Sequence, residues 1–150
     1  MTRSGVVSSI GFLLVISICS PSLGQMQRSV EARQMSMKEL GRAMKTTTPL
    51  VAATTPIDQA AVRSNMAKIV KESTRLQSLF ASADAGSTSS TADARIWTNK
   101  RDFDRRLVEL GSLAKAVGAA PSRDRLTSDF GKLTETCRSC HRIYRKKQSS

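Results

Sequence analysis

The chain has 150 residues, room for about one domain, and sets 24 Lys and Arg against 12 Asp and Glu, a formal net charge of +12. A surplus that large points to an anionic partner, although most of these side chains are expected simply to solvate helix faces. One Trp, one Tyr and four Phe, without aromatic–basic interleaving, argue against stacking on nucleic-acid bases.

The opening segment, MTRSGVVSSIGFLLVISICSPSLGQ, places Arg3 before an apolar run from Ile10 to Ile18, with Ser22 and Gly24 at the spacing a signal peptidase reads. Residues 1–24 are therefore expected to be a secretory signal cleaved after Gly24, too short and wrongly flanked for a membrane anchor. Cys19 raises a lipoprotein reading, but Ile18 stands where a lipobox needs a small side chain. Cleavage removes Cys19 and Arg3 and leaves residues 25–150 with 23 basic and 12 acidic residues, about +11. No later stretch is long and apolar enough to span a bilayer, so an exported protein without stable membrane insertion is expected.

Four helices follow in the pattern. The first, 28–45, carries Val30, Arg33, Met37, Leu40, Gly41 and Met44 on one stripe. TTTPLVAATTP, with two prolines, is expected to end it. The second, 57–80, buries Ala61, Met66, Ile69, Val70, Leu76 and Phe80, with Asp58 near the positive end of its dipole. Low-complexity SADAGSTSSTADA is a loop. The third, 94–117, carries Ile96, Trp97, Phe103, Leu107, Leu110, Leu113 and Val117; Gly118 is expected to cap it and Ser122 to open the next. The fourth, 123–147, carries Leu126, Phe130, Leu133, Cys137, Cys140 and Tyr144 at alternating four- and three-residue steps. Strand alternation is absent. An all-α, antiparallel up-down-up-down four-helix bundle is the expected fold.

The fourth stripe runs into CRSCHRIYRKK, which holds the only His and two of the three Cys within five positions. Cys-x-x-Cys-His is the attachment signature of a c-type haem. On a helix Cys137 and Cys140 stand one turn apart, each able to form a thioether with a haem vinyl, and His141 can reach the iron. A structural disulfide is the plain alternative, although Cys-x-x-Cys pairs are more often reactive. A thioredoxin-like site wants a strand–helix context, and a structural zinc site wants four ligands where the cleaved chain offers three.

The signal, the four helices, the Cys-x-x-Cys-His near the C-terminus and the short basic tail together resemble the class II cytochromes c, the cytochrome c-prime group, over essentially all of residues 25–150. ARQMSMKELG, RIWTNKRDF and CRSCHRIYRKK are the local matches. The resemblance implies covalent haem c near the C-terminal end of the fourth helix, a periplasmic location and a homodimer as one oligomeric option. It also implies that Met37 occupies the position facing the open side of the iron, where methionine gives a six-coordinate, low-spin electron carrier. A non-ligand there gives the five-coordinate form that binds NO or CO. By the same resemblance Arg33 lies near the haem propionates and Arg145 lines the proximal side; a surface ion pair and a solvated tail charge are the respective alternatives.

Helical geometry also favours Met37. Met35 is turned about 200° from it, and Met44 lies about 10 Å further along the axis. In an antiparallel bundle the start of helix one neighbours the end of helix four, where His141 sits, whereas Met66 lies nearer the opposite end. The plain alternative is that Met37 is a flexible core filler. Trp97 and Tyr144 are expected to pack. The function implied is electron transfer rather than enzymatic turnover, with the basic tail steering acidic redox proteins toward the haem edge.

Overall fold

The computed structural model describes residues 23–83 and 90–147. Most of the expected signal segment, with its Cys19, and the middle of the low-complexity loop lie outside the described residues. The elements are α1 (Leu23–Ala52), α2 (Gln59–Leu79), α3 (Arg95–Thr98), α4 (Lys100–Gly118) and α5 (Arg123–Tyr144). No strand occurs among the described residues; a single antiparallel bridge pairs Ala92 with Arg145. The four long helices touch in the cycle α1–α2–α4–α5–α1.

Side-chain contacts give the direction of each pair. Arg33, near the start of α1, donates to the carbonyls of Leu79 and Ser82 past the end of α2. Ser73 and Met66 of α2 face Gly111 and Gly118 of α4, and Asp102 and Arg106 of α4 meet Tyr144 and Ser139 of α5. Each neighbour is antiparallel, as the helix order requires.

The expected stripes supply the core. Leu76, Phe103, Leu107, Val117, Leu126 and Leu133 are all buried, with Phe130 just at the edge of burial. Asp58 caps α2, its Oδ1 accepting the Ala61 N–H at 2.9 Å, and Ser122 caps α5, its Oγ accepting the Arg125 N–H at 3.3 Å.

Five boundaries differ from the sequence pattern, the first being the start of α1, at Leu23 rather than 28. Helix α1 continues past Lys45 through Pro49 to Ala52. Proline removes one N–H from the ladder, but Thr46, Thr47 and Thr48 donate their hydroxyls back to the carbonyls of Arg42, Ala43 and Met44. Leu50 and Val51 pack on the core, and Arg123 donates to the carbonyl of Val51 in the last turn and to those of Ala53 and Thr55 just beyond the end of the helix. Burial and capping outweigh local propensity there. The expected third helix is broken at Asn99 (φ −126°, ψ 44°) into α3 and α4. Gly118 lies inside α4, and Ala119 is the cap. Helix α5 stops at Tyr144 because Arg145 turns extended to bridge Ala92. On α1, Gly41 is exposed, and Ser36, Ala43 and Thr47 join the buried face instead.

Leu133→Ala, at a fully buried position of α5, is expected to lower unfolding free energy by about 2–5 kcal/mol. Val108→Ala, where 55% of the residue is exposed, should stay within about 0.5 kcal/mol of the parent. Denaturant titration of both variants checks the assignment of the core.

Candidate functional site

Helices α1 and α5 pack least closely of the four neighbouring pairs. At the end of this seam lies a cavity of about 340 Å³. Its inner wall is apolar: Val30 of α1, Phe80 after α2, Ile96 of α3 and Phe103 of α4. Cys140, His141 and Tyr144 of α5 border it on one side, and Arg33, Met37 and Lys38 of α1 on the other. Arg145 and residues 90–92 complete the rim.

This arrangement brings five of the six sequence-derived site residues to one place. Cys137, the sixth, lies one turn back on α5, partly buried against the core. The four methionines whose side chains are described separate clearly. Met37 lines the cavity, Met35 is 60% exposed, Met66 is buried and borders a groove between α2 and α4, and Met44 packs further along α1.

The two thiols are not bonded to each other. Burial raises both, Cys140 to about 11, so neither is a thiolate near neutral pH. A redox dithiol depends on the opposite shift. Among the described residues no three His, Cys, Asp or Glu side chains gather as a metal site. Burial, and then the charge of Arg145, lowers the His141 pKa. A neutral imidazole with a free ring nitrogen is the form that binds a metal.

Arg33 is buried, with Nε 2.7 Å from the Leu79 carbonyl and Nη2 3.1 Å from that of Ser82. Its guanidinium lies 4.4 Å from the Phe80 ring centroid and 5.5 Å from that of Trp97. It is therefore a buried capping and stacking group at the cavity wall. Trp97 Nε1, beside it, is buried and has no acceptor among the described residues. Phe80 joins Trp97 and Phe103, and Phe103 joins Tyr144, in one continuous aromatic cluster. Trp97 and Tyr144 do pack, as expected.

The sequence reading missed Asp102 and Arg106. Tyr144 Oη donates to Asp102 Oδ2 at 2.7 Å, and Arg106 Nε donates to the same oxygen at 2.7 Å. Arg106, Tyr144 and Arg105, in that order, hold the Asp102 carboxyl well below the usual range. Its contribution to stability is thus complete above the ordinary carboxylate pKa and is lost only as pH falls through the lowered one. Burial and Asp102 push the Tyr144 hydroxyl up to about 12. The Asp102–Arg106 spacing is visible in the sequence as an i, i+4 pair; its link to Tyr144 is not.

The donor set suits a haem. The Cys140 thiol, an imidazole and a thioether flank an apolar pocket with cations at its rim, the Cys137 thiol lies one turn back, and the indole N–H of Trp97 could donate to an anionic oxygen. The chain's residues fit the group its motif implies.

Comparison with known proteins agrees. A sequence profile of the family Cytochrome C′ matches residues 28–145. Cytochrome c-556 of Agrobacterium fabrum is 32% identical over 122 residues, spanning 79% of this chain and 82% of its own. Cytochrome c′ of Rhodopseudomonas palustris is 28% identical over 121 residues, spanning 80% and 83% respectively. The solved structure of Rhodopseudomonas palustris cytochrome c′ matches with a TM-score of 0.72 at 28% identity, covering 81% of this chain and 98% of that one. Cytochrome c prime from Shewanella frigidimarina gives 0.73 at 19% identity, covering 84% and 100%.

Expression of Cys137→Ala and Cys140→Ala in a host with c-type maturation machinery is expected to impair covalent haem attachment. Acid–acetone extraction should then release haem from the double variant. Full retention would end the thioether assignment.

Proposed function

The chain belongs to the cytochrome c′ family, its cofactor is haem c, and from that premise we propose that it is a periplasmic electron carrier whose iron is bound by His141 and Met37. The observation that carries the reading is the shared cavity: Met37 enters it from α1 and His141 from α5. No other methionine with a described side chain lines it. Bound haem supplies a one-electron Fe(III)/Fe(II) couple, and imidazole–thioether ligation raises its potential.

The chain's own residues do the rest. Cys137 and Cys140 anchor the group to α5. Val30, Phe80, Ile96 and Phe103 exclude water and lower the local dielectric. Arg33 sits where haem carboxylates would find a buried cation and the Trp97 N–H together. Arg145, on the rim, contributes charge near His141. With His141 and Met37 both holding the iron, no open position would be left for a substrate, which suits a carrier.

A second basic surface adjoins this site. Arg138, Arg142, Arg145, Lys146 and Lys147 surround His141 in a shallow depression. Arg142 is partly offset by Glu135; the remainder form a docking face for an acidic redox protein. Among the described residues no helix is long and apolar enough to cross a membrane. Export rests on the segment before α1, read as a signal.

Met37→Leu tests the ligation. The volumes are close, so stability should change by less than about 1.5 kcal/mol. The spectrum should turn from low to high spin, the potential should fall, and carbon monoxide should bind. Met35→Leu should leave all three unchanged. If Met37→Leu leaves the spin state as it was because the parent is already high-spin, the five-coordinate NO- or CO-binding form replaces the carrier.

Docking is checked separately by stopped-flow mixing with an acidic redox protein at low and high salt. Neutralising Arg142, Arg145, Lys146 and Lys147 together should slow association roughly tenfold or more at low salt and change dissociation little. Salt-independent association would remove the role of the tail.

A further inference from the structure

The last turn of α5 carries Cys140 and His141, and bonds from two directions hold it. On one side runs the segment before α3. The Asp93 N–H donates to the Tyr144 carbonyl at 2.9 Å, and the Lys146 N–H donates to that of Thr91 at 2.8 Å. These backbone bonds fix where the chain passes. They do little to fix how far α5 is rotated about its own axis.

The other set comes from α4 and does restrict rotation. Tyr144 Oη and Arg106 Nε both donate to Asp102 Oδ2, each at 2.7 Å, while Arg105 donates to Oδ1. Arg106 Nη1 then reaches Ser139 Oγ at 3.4 Å, and Ser139 donates to the Thr136 carbonyl at 3.1 Å. Ser139 lies between the two motif cysteines, and Tyr144 lies three residues beyond His141. One carboxylate therefore grips α5 on both sides of Cys140 and His141. The Phe103 ring, one position along α4, stacks edge-on to Tyr144 with centroids 5.3 Å apart and holds the phenol in place.

A surface ion pair would need only Arg105 and Arg106 at helical spacing. The bonds across to α5 go beyond that. The charges of Asp102 and Arg106 also both act on Cys140, so the cluster lies within electrostatic range of whatever that thiol holds.

We propose that Asp102 is a positioning residue of the haem site: it locks the rotation of the last turn of α5, thereby setting the direction of the His141 imidazole, and keeps one negative charge beside the site that lowers the reduction potential. The proposal rests on the reading of His141 as an iron ligand. The sign follows from charge. Asn at position 102 keeps the shape and an acceptor for Tyr144, but leaves Arg106 without its counter-charge and Arg105 with that of Glu109 alone. A more positive surround disfavours Fe(III) and raises the potential.

The test uses the haem-loaded protein and three variants. Asp102→Asn should raise the midpoint potential and alter the hyperfine-shifted histidine resonances of the ferric NMR spectrum. Tyr144→Phe removes only the hydroxyl and keeps the ring; it should alter the same resonances, and its effect should not add to that of Asp102→Asn, because both act through one bond. Asp104→Asn, whose carboxylate pairs with Lys100 on the same helix, should leave the resonances alone and shift the potential less. Unchanged resonances in Tyr144→Phe, or equal potential shifts in Asp102→Asn and Asp104→Asn, would overturn the positioning role. Should Asp102→Asn fail to mature, the Tyr144→Phe resonances alone decide. Absence of histidine resonances from the parent protein would instead overturn the ligation reading, a result that the variants cannot mimic.

Discussion

Gly111 and Gly118 turn bare backbone toward α2, and the separation of α2 and α4 depends on it. A Cβ at Gly111 would sit 2.8 Å from Ser73 Oγ, and one at Gly118 would sit 3.3 Å from Met66 Cβ. In a four-sided bundle, drawing two helices together on one side lets the opposite side open. The opposite side here is the seam between α1 and α5, and the cavity lies at its end. The aromatic cluster of Phe80, Phe103 and Tyr144 then supports that end from within, so that the opening has a rigid floor.

Arginine does much of the work of closing the ends. A buried guanidinium loses hydration, a cost of several kcal/mol unless hydrogen bonds and stacking offset it. Arg33 meets that condition with carbonyls past the end of α2 and two aromatic rings. Arg123 does the same for the carbonyls at and just beyond the end of α1. Each places positive charge at the negative end of a helix dipole. The surplus of basic residues is thus partly internal structure. What is left over clusters beyond α5, around His141, where it bears on function.

The cysteine pair shows how environment selects among chemistries that share one motif. Two thiols a turn apart would serve a disulfide exchanger if lowered toward neutrality. Burial on α5 raises both instead, and the neighbouring imidazole is biased to its neutral form. Neutral thiols beside a neutral imidazole, at the lip of an apolar pocket, form a seat for a large apolar ring rather than a catalytic dithiol.

Periodicity and spacing alone determined the helical class, the number of long helices, nearly all of the buried stripe and the Cys137–Cys140–His141 cluster, because each is a local pattern of three to seven residues. Met37 was legible by the same means: its phase separates it from Met35, and its height from Met44. What local pattern could not supply was anything decided by a partner distant in sequence. Helix α1 runs through Pro49 because Arg123 and the core reward its continuation, and α5 stops at Tyr144 because Ala92 claims Arg145. Arg33 could be placed on the inward stripe, but its enclosure by Phe80 and Trp97 could not. Asp102 is one of several acidic residues on an exposed-looking helix until Tyr144, 42 positions away, donates to it. Burial and long-range hydrogen bonds outweigh propensity at those places, and they exist only once the four helices have packed.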